Sequence, residues 1–281
     1  MFPNLGSKYI HIKKIGNGGT GVVNLALDTH SGFQVAIKSL FESHFNNNPE
    51  MLKKFKIEAN IYLMLSHPNI VKLKDLILKD GAHLVMDYIE GMTLEKYISS
   101  VTGPIPSEVA IAMIKEIAEA IGYAHQKEIP IPGYNGVLHL DIKPSNILIS
   151  DAGKVMVIDY GISQGNSEER MNQIVGSLMY MAPEQLEQGT ALDHRTDIYS
   201  LGVLLHQMLS GSTPYSSKNT KEEIINKIQN KPLERLVNVY PHVDNRIQKI
   251  IDTATSKSPE NRYQNCEAFI NDLKKLENEA I

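Results

Sequence analysis

The chain changes character at Gly91, and that change limits the folds open to it. Residues 9–38 are written for strands. Val22, Val23, Leu25 and Leu27, then Val35 and Ile37, alternate or cluster in β fashion, with Asp28 to Gly32 as the turn between them. Residues 49–65 carry helical spacing, with Leu52, Phe55, Ala59 and Tyr62 on one side and Lys53, Lys54 and Lys56 on a solvated face. Residues 70–78 and 82–88 add two strands. Beyond Gly91 helices dominate, over residues 93–100, 107–125, 197–210, 221–230, 244–256 and 265–278. Short β segments interrupt them at 146–149 and 155–158. Ser107 and Glu108 are the expected N-terminal cap of the second helix, and Val109, Met113, Ile117 and Ile121 its apolar stripe. A strand-rich unit followed by a helical one predicts an α+β protein.

Bulk composition narrows the function classes. The chain has 281 residues, 42% hydrophobic and 21% charged, which is ordinary for a globular protein. A formal net charge of −4 gives no global pull toward nucleic acid or anionic lipid. Cys266 is the single cysteine, so no disulfide framework or multi-cysteine zinc site forms within this sequence. It is expected as a small buried thiol on a helix. The histidines form no metal-like cluster, and His11, His44 and His242 are expected as surface or packing residues. Residues 1–9 lack the basic-then-apolar pattern of a signal peptide. The most apolar run, residues 198–209, is shorter than the about 20 residues a bilayer requires. It is expected as a buried helix, and the chain as cytoplasmic, with no membrane segment of its own.

Local motifs carry the chemistry. His139-Leu-Asp-Ile-Lys-Pro-Ser-Asn146 sets a carboxylate, a lysine and an amide close together, and Asp159-Tyr-Gly161 adds a second carboxylate one strand and turn later. Such a set can take a proton from a hydroxyl, steady a phosphate and hold a divalent metal. Phosphoryl transfer needs those parts, because its transition state is mostly a problem of positioning and charge neutralisation. Upstream, Ile15-Gly16-Asn17-Gly18-Gly19-Thr20-Gly21-Val22-Val23 holds glycines that let backbone amides approach phosphates. A strand rather than a helix follows, so a hairpin lid over a nucleotide fits better than a dinucleotide fingerprint. Val35-Ala36-Ile37-Lys38 ends an apolar strand on a lysine, and Glu58 on the following helix is its expected ion-pair partner.

Taken in order, the glycine loop, V-A-I-K, H-x-D-x-K-x-x-N, D-Y-G and A-P-E (Ala182 to Glu184) resemble the eukaryotic-type serine/threonine protein kinases in their bacterial style. The resemblance covers about residues 9–277, as a single catalytic domain over 1–281 with a small lobe at about 9–88 and a larger, mainly helical lobe at about 92–278. It implies ATP with Mg²⁺, or Mn²⁺ in its place, bound in a cleft. The reaction it implies is transfer of the γ-phosphoryl to serine or threonine hydroxyls of protein substrates. By the same resemblance Asp141 accepts the hydroxyl proton and Lys143 neutralises the transferring group, while Asn146 and Asp159 hold the metal. Lys38, anchored by Glu58, contacts the α and β phosphates. Val23, Ala36 and Leu148 enclose adenine, Met86 is the gatekeeper, and the backbone at Asp87 and Ile89 reads the adenine edge. Glu184 with Arg262 matches the family's buried ion pair, and Asp197 the carboxylate that steadies the catalytic loop. His139, Tyr160 and Tyr62 match the internal hydrophobic stack.

Departures from the family pattern are few. Leu140 stands where regulated kinases carry an arginine that binds a phosphate on the activation loop, and leucine cannot bind phosphate. Phosphorylation of Ser163, Ser167 or Ser177 is therefore not expected to be the main on-switch. Residues 126–138 form a longer link than usual, expected as an extra surface turn. A scaffold without turnover would show lesions at Lys38, Asp141 or Asp159, and none is present. A small-molecule kinase would usually lack the Gly176-Ser177 and A-P-E segments that dock a peptide.

Overall fold

The computed structural model describes residues 5–18, 21–40, 49–78, 81–130, 136–160, 178–215, 219–239 and 243–278, without the side chains of 18, 49–52, 54, 57, 58, 277 and 278. By internal contacts the chain divides into two compact units, Met1–Glu90 and Gly91–Ile281.

The first unit is a five-stranded antiparallel sheet with one long helix. Strands β1 (Tyr9–Gly18), β2 (Gly21–Asp28), β3 (Gln34–Leu40), β4 (Leu73–Ile77) and β5 (His83–Asp87) lie in the order β1-β2-β3-β5-β4. Pleating sends alternate side chains to opposite faces. Tyr9, Ala26, Val35, Ile37 and Val85 therefore form one apolar cluster, with Leu5 and Ile77 packed against it. The register pairs Val23 with Lys38 and Ala36 with Met86, so these four side chains share the other face. Helix α1 (Pro49–Leu63) buries Phe55, Ala59 and Tyr62, which recur at helical spacing. Tyr62 Oη donates to the Val71 carbonyl at 2.7 Å, so its ring is buried with its hydroxyl satisfied.

Two glycines fix this sheet's geometry. Gly18 pairs with Gly21 across the β1–β2 hairpin, whose tip, Gly19 and Thr20, lies outside the described residues. A Cβ on Gly21 would stand 2.2 Å from the Ser39 carbonyl oxygen. A glycine at position 21 is thus demanded by the approach of β3.

The second unit is mainly helical. A short sheet of β6 (Gly91–Thr93), β7 (Ile147–Ser150) and β8 (Val155–Val157) runs antiparallel in that order. Helix α2 is only Leu94–Tyr97 and passes into a wider π turn at Ile98–Thr102, closed by Gly103 N donating to Ile98 O at 2.9 Å. The helical segment expected over 93–100 thus runs from Leu94 to Thr102, with its last turn π rather than α, and Gly103, at φ 66°, ends it. Helices α3 (Ser107–His125), α4 (His194–Ser210), α5 (Lys221–Asn230), α6 (Asn245–Ala254) and α7 (Cys266–Asn278) complete the unit. Helix α3 packs on α7, α4 and β8, and α4 on α6.

Two details of α3 correct the sequence reading. Pro106, not Ser107, is the N-cap, and no side chain caps the helix there. Val109 is 43% exposed rather than part of the stripe. With neighbours on several sides, the helix buries Ala110, Met113, Ile114, Ile117, Ala118 and Ile121, a face too wide for a single-stripe pattern. Helix α4 is the opposite case. All of Thr196 to Leu209 is buried, so the apolar run is an interior helix. No helix of the described residues is long and apolar enough to cross a membrane. Cys266 is buried on α7, and burial pushes its thiol pKa upward.

Gly211 ends α4 with φ 70° and its N–H on Gln207 O at 2.8 Å. A Cβ there would come 2.6 Å from Pro104 N and 2.7 Å from Pro104 Cδ. Gly211→Ala therefore adds left-handed strain to a clash with backbone. We expect a loss of about 2–4 kcal/mol, read as a fall in Tm of roughly 5–15 °C by calorimetry.

Candidate active site

The site is organised from Asp197. Asp193 caps α4 by accepting from Arg195 N at 2.8 Å, so the helix starts earlier than expected and Asp197 falls in its first turn. The Asp197 side chain is fully buried, where an unpaired charge would be very costly. It is paired on both oxygens. Oδ1 accepts from Leu140 N at 2.7 Å, and Oδ2 accepts from His139 N and His125 Nε2, both at 2.8 Å. Burial opposes its ionisation. The hydrogen bonds from His125 and from the His139 amide outweigh that and hold its pKa below the ordinary carboxylate value.

This clamp sets the residues around Asp141. Leu140 takes φ 61°, a conformation a leucine rarely adopts, and is kept there by the bond to Asp197. His139 is fully buried; its Nε2 lies 2.9 Å from Ile158 O and its Nδ1 accepts from Asp141 N at 3.3 Å. Those partners assign the proton to Nε2, because a carbonyl can only accept and an amide only donate. The His139 ring packs on Tyr160, centroids 4.7 Å apart.

Asp141 itself is 24% exposed and multiply held. Lys143 Nζ stands 2.7 Å from Oδ2 and 3.0 Å from Oδ1. Asn146 Nδ2 donates to Asp141 Oδ2 at 2.9 Å and to its carbonyl at 2.8 Å. The β7–β8 hairpin then brings the second carboxylate close: Ile147 pairs with Val157, and Ile158 N donates to Asn146 O at 3.0 Å. Asn146 and Asp159 thus flank the open end of one hairpin, although twelve residues separate them. Asp159 is half-buried with φ 59°.

The other expected site residues fall as follows. Ile15, Gly16, Asn17 and Gly18 lie in β1, Gly21, Val22 and Val23 in β2, and Ala36 and Lys38 in β3. Met86 and Asp87 lie in β5, with Ile89 just beyond, all in the first unit. Leu148 lies in β7 of the second unit, with Asp141, Lys143, Asn146 and Asp159. The side chain of Glu58, and with it the expected pair with Lys38, is outside the described residues, as are Gly161, Ser163, Ser167, Ser177, His44, His242 and residues 131–135.

These features match known proteins. Residues 9–273 fit the model of the protein kinase domain. The chain belongs to the protein kinase family. It is 36% identical over 275 residues to the serine/threonine-protein kinase PrkC of Bacillus subtilis, covering 96% of this chain and 40% of that protein. It is 32% identical over 270 residues to the probable serine/threonine-protein kinase PknB of Lactococcus lactis, covering 95% of this chain and 41% of that one. The chain thus spans about two fifths of the length of these curated relatives. The fold matches the crystal structure of the Mycobacterium tuberculosis PknI kinase domain, with a TM-score of 0.75 at 23% identity, over 97% of this chain and 96% of that one.

The ion pair carried over from the family is present. Arg262, 3% exposed, places Nη1 and Nη2 at 2.7 and 2.8 Å from the two oxygens of Glu184. Arg262 also donates to the carbonyls of Ser256, Arg195 and Lys257, while Thr196 Oγ1 donates to Glu184 at 2.8 Å.

Two further residues join the site that sequence reasoning passed over. His125 was legible only as the end of a helix. Gln185 is fully buried; its Oε1 accepts from Ala182 N at 2.9 Å, and its Nε2 donates to Leu140 O at 3.1 Å. The one available signal was an uncharged amide placed directly after A-P-E.

Arg262→Met would leave the Glu184 carboxylate buried without its cation. We expect a cost of about 3–5 kcal/mol in urea unfolding, with only part recovered by the pair Glu184→Leu/Arg262→Met. A loss under about 1 kcal/mol would show that the pair behaves like a surface salt bridge.

Proposed function

We propose that this chain is a serine/threonine protein kinase catalytic domain, taking the γ-phosphoryl of ATP to serine or threonine hydroxyls of protein substrates with a divalent cation. The observation that carries the reading is the fixing of the Asp141 carboxylate by Lys143 and Asn146. A base must be held within hydrogen-bond reach of the proton it takes. Oδ1 and Oδ2 of Asp141 are oriented by neighbours that cannot themselves accept that proton. Lys143 carries the positive charge that offsets charge spreading over the phosphoryl oxygens. Its lysine form, in place of the arginine usual in tyrosine kinases, supports serine or threonine as acceptor.

The donor set suits a hard cation. Asn146 spends Nδ2 on Asp141, so Oδ1 is the atom it has to offer, and Asp159 adds a carboxylate. Magnesium, with manganese as substitute, would supply neutralisation of phosphate charge when bound by these two residues. In the first unit, Lys38 holds the α and β phosphates and Glu58 anchors it. The backbone of residues 15–22 would cover the phosphates, Val23 and Ala36 would offer apolar surface to adenine, and Met86, Asp87 and Ile89 would position it; in the second unit Leu148 is assigned to adenine by the same resemblance. The relatives' names support this activity, and the intact Lys38, Asp141 and Asp159 argue for turnover rather than scaffolding.

Asp141→Asn keeps the shape of the side chain and removes the base. Transfer of radiolabelled phosphate to a generic basic protein should fall by at least ~10²-fold, with nucleotide binding retained. Undiminished transfer would end the assignment of Asp141, and phosphotyrosine as the product would end the serine/threonine reading.

Activation does not run through a phosphate held by residue 140. Leu140 has no group to bind one, and its backbone is already held at N and O by Asp197 and Gln185. Enzyme treated with a phosphatase and enzyme phosphorylated on Ser163, Ser167 or Ser177 should differ modestly in kcat. A gain of about several hundredfold, the scale of an ordering switch, would refute this.

A further inference from the structure

We infer that Gln185 is a positioning residue for Asp141, locking the peptide unit in front of the base to the segment that begins at Ala182. The inference rests on the proposed function and names a part of that site the motifs leave out.

The geometry is specific to an amide. Ala182 N can only donate and Leu140 O can only accept, so the side chain between them must offer an acceptor and a donor on adjacent atoms. Glutamine does so with one orientation. Glutamate offers two acceptors, leucine or methionine offers no comparable donor, and asparagine is one methylene shorter. The side chain is 0% exposed, so water cannot stand in for a missing partner. Its backbone is tied to the same residue, Gln185 N donating to Ala182 O at 3.0 Å, which leaves the side chain little freedom to wander.

The bond falls where it matters. Leu140 precedes the base and holds a left-handed φ of 61°. Such a backbone persists only when its surroundings over-determine it. Asp197 grips the amide of Leu140 and Gln185 its carbonyl, so the residue is fixed from both sides. The carbonyl of Leu140 belongs to the peptide plane whose N–H is that of Asp141. Rotation of that plane would carry the Asp141 N–H away from His139 Nδ1, which it meets at 3.3 Å. Because Gln185 holds a backbone carbonyl, the contact does not depend on which side chain stands at position 140.

The test uses the whole chain with Gln185→Met, which keeps length and removes both polar atoms without adding charge. Rates are normalised to the fraction of protein that binds nucleotide. Ile251→Val, a buried change on α6 remote from these contacts, serves as a destabilised control. We expect kcat to fall at least about tenfold with KM for ATP within about twofold, the control to keep its kcat, and hydrogen exchange to quicken at the amides of Leu140 and Asp141. Should the methionine variant not fold, Gln185→Glu keeps the acceptor for Ala182 N and removes the donor, and the same criteria apply. A wild-type chain that transfers phosphate, beside variants that do so within about twofold, overturns the inference alone. A wild-type chain that transfers none overturns the proposed function and this role with it.

Discussion

A single buried carboxylate holds the loop around Asp141 in place. Asp197 is removed from water yet stays ionised because three N–H groups, two from backbone and one from His125, surround it. Those bonds run from the first turn of an interior helix to a loop more than fifty residues earlier in the chain. The loop then keeps a shape it would not hold alone. Leu140 is forced into the left-handed region, His139 is turned so that one ring nitrogen reaches Ile158 O and the other the Asp141 amide, and Asp141 is presented at the surface. Strain at Leu140 is sustained by the rigidity of α4, whose residues from Thr196 to Leu209 are buried throughout.

A second layer of polar contacts surrounds that clamp. Glu184 and Arg262 form a buried bidentate pair, and Arg262 spreads its remaining donors over three carbonyls. A buried ion pair is a poor way to add net stability, but it is unforgiving about geometry. Here it ties the A-P-E turn to α4 through Thr196 and to the turn before α7 through the guanidinium. Gln185, the next residue, hands that order on to Leu140. The arrangement thus passes from a rigid helix, through charged and amide contacts, to the peptide plane in front of Asp141.

Much of this was legible without coordinates, and the reasons differ by element. The β3 strand and α5 follow from periodicity, because each buries apolar side chains at regular spacing, and the interior α4 follows from its apolar run. The site motifs were legible because phosphoryl transfer constrains residue types within short spans of chain. What escaped were features set by neighbours. Val109 fits the α3 stripe by spacing, yet it lies at the helix entry and stays exposed. Ser107 has the side chain of a cap, but Pro106 occupies the capping position. The strand β6 has three residues and exists only because β7 comes to pair with it. Gly21 looked like a phosphate-loop glycine, while the space beside it is filled by Ser39 O.

The sequence by itself determined the order of strand-rich and helical units and the identity of the acid, amide and amine groups, since these depend on local pattern and residue chemistry. Only the tertiary structure decided that His125 and Gln185 belong to the site, that Asn146 and Asp159 flank one hairpin end, and that Leu140 is gripped at both N and O. Those facts arise from hydrogen bonds between residues far apart in the chain, and partner choice across such distances is set by packing, which leaves no periodic trace in the sequence.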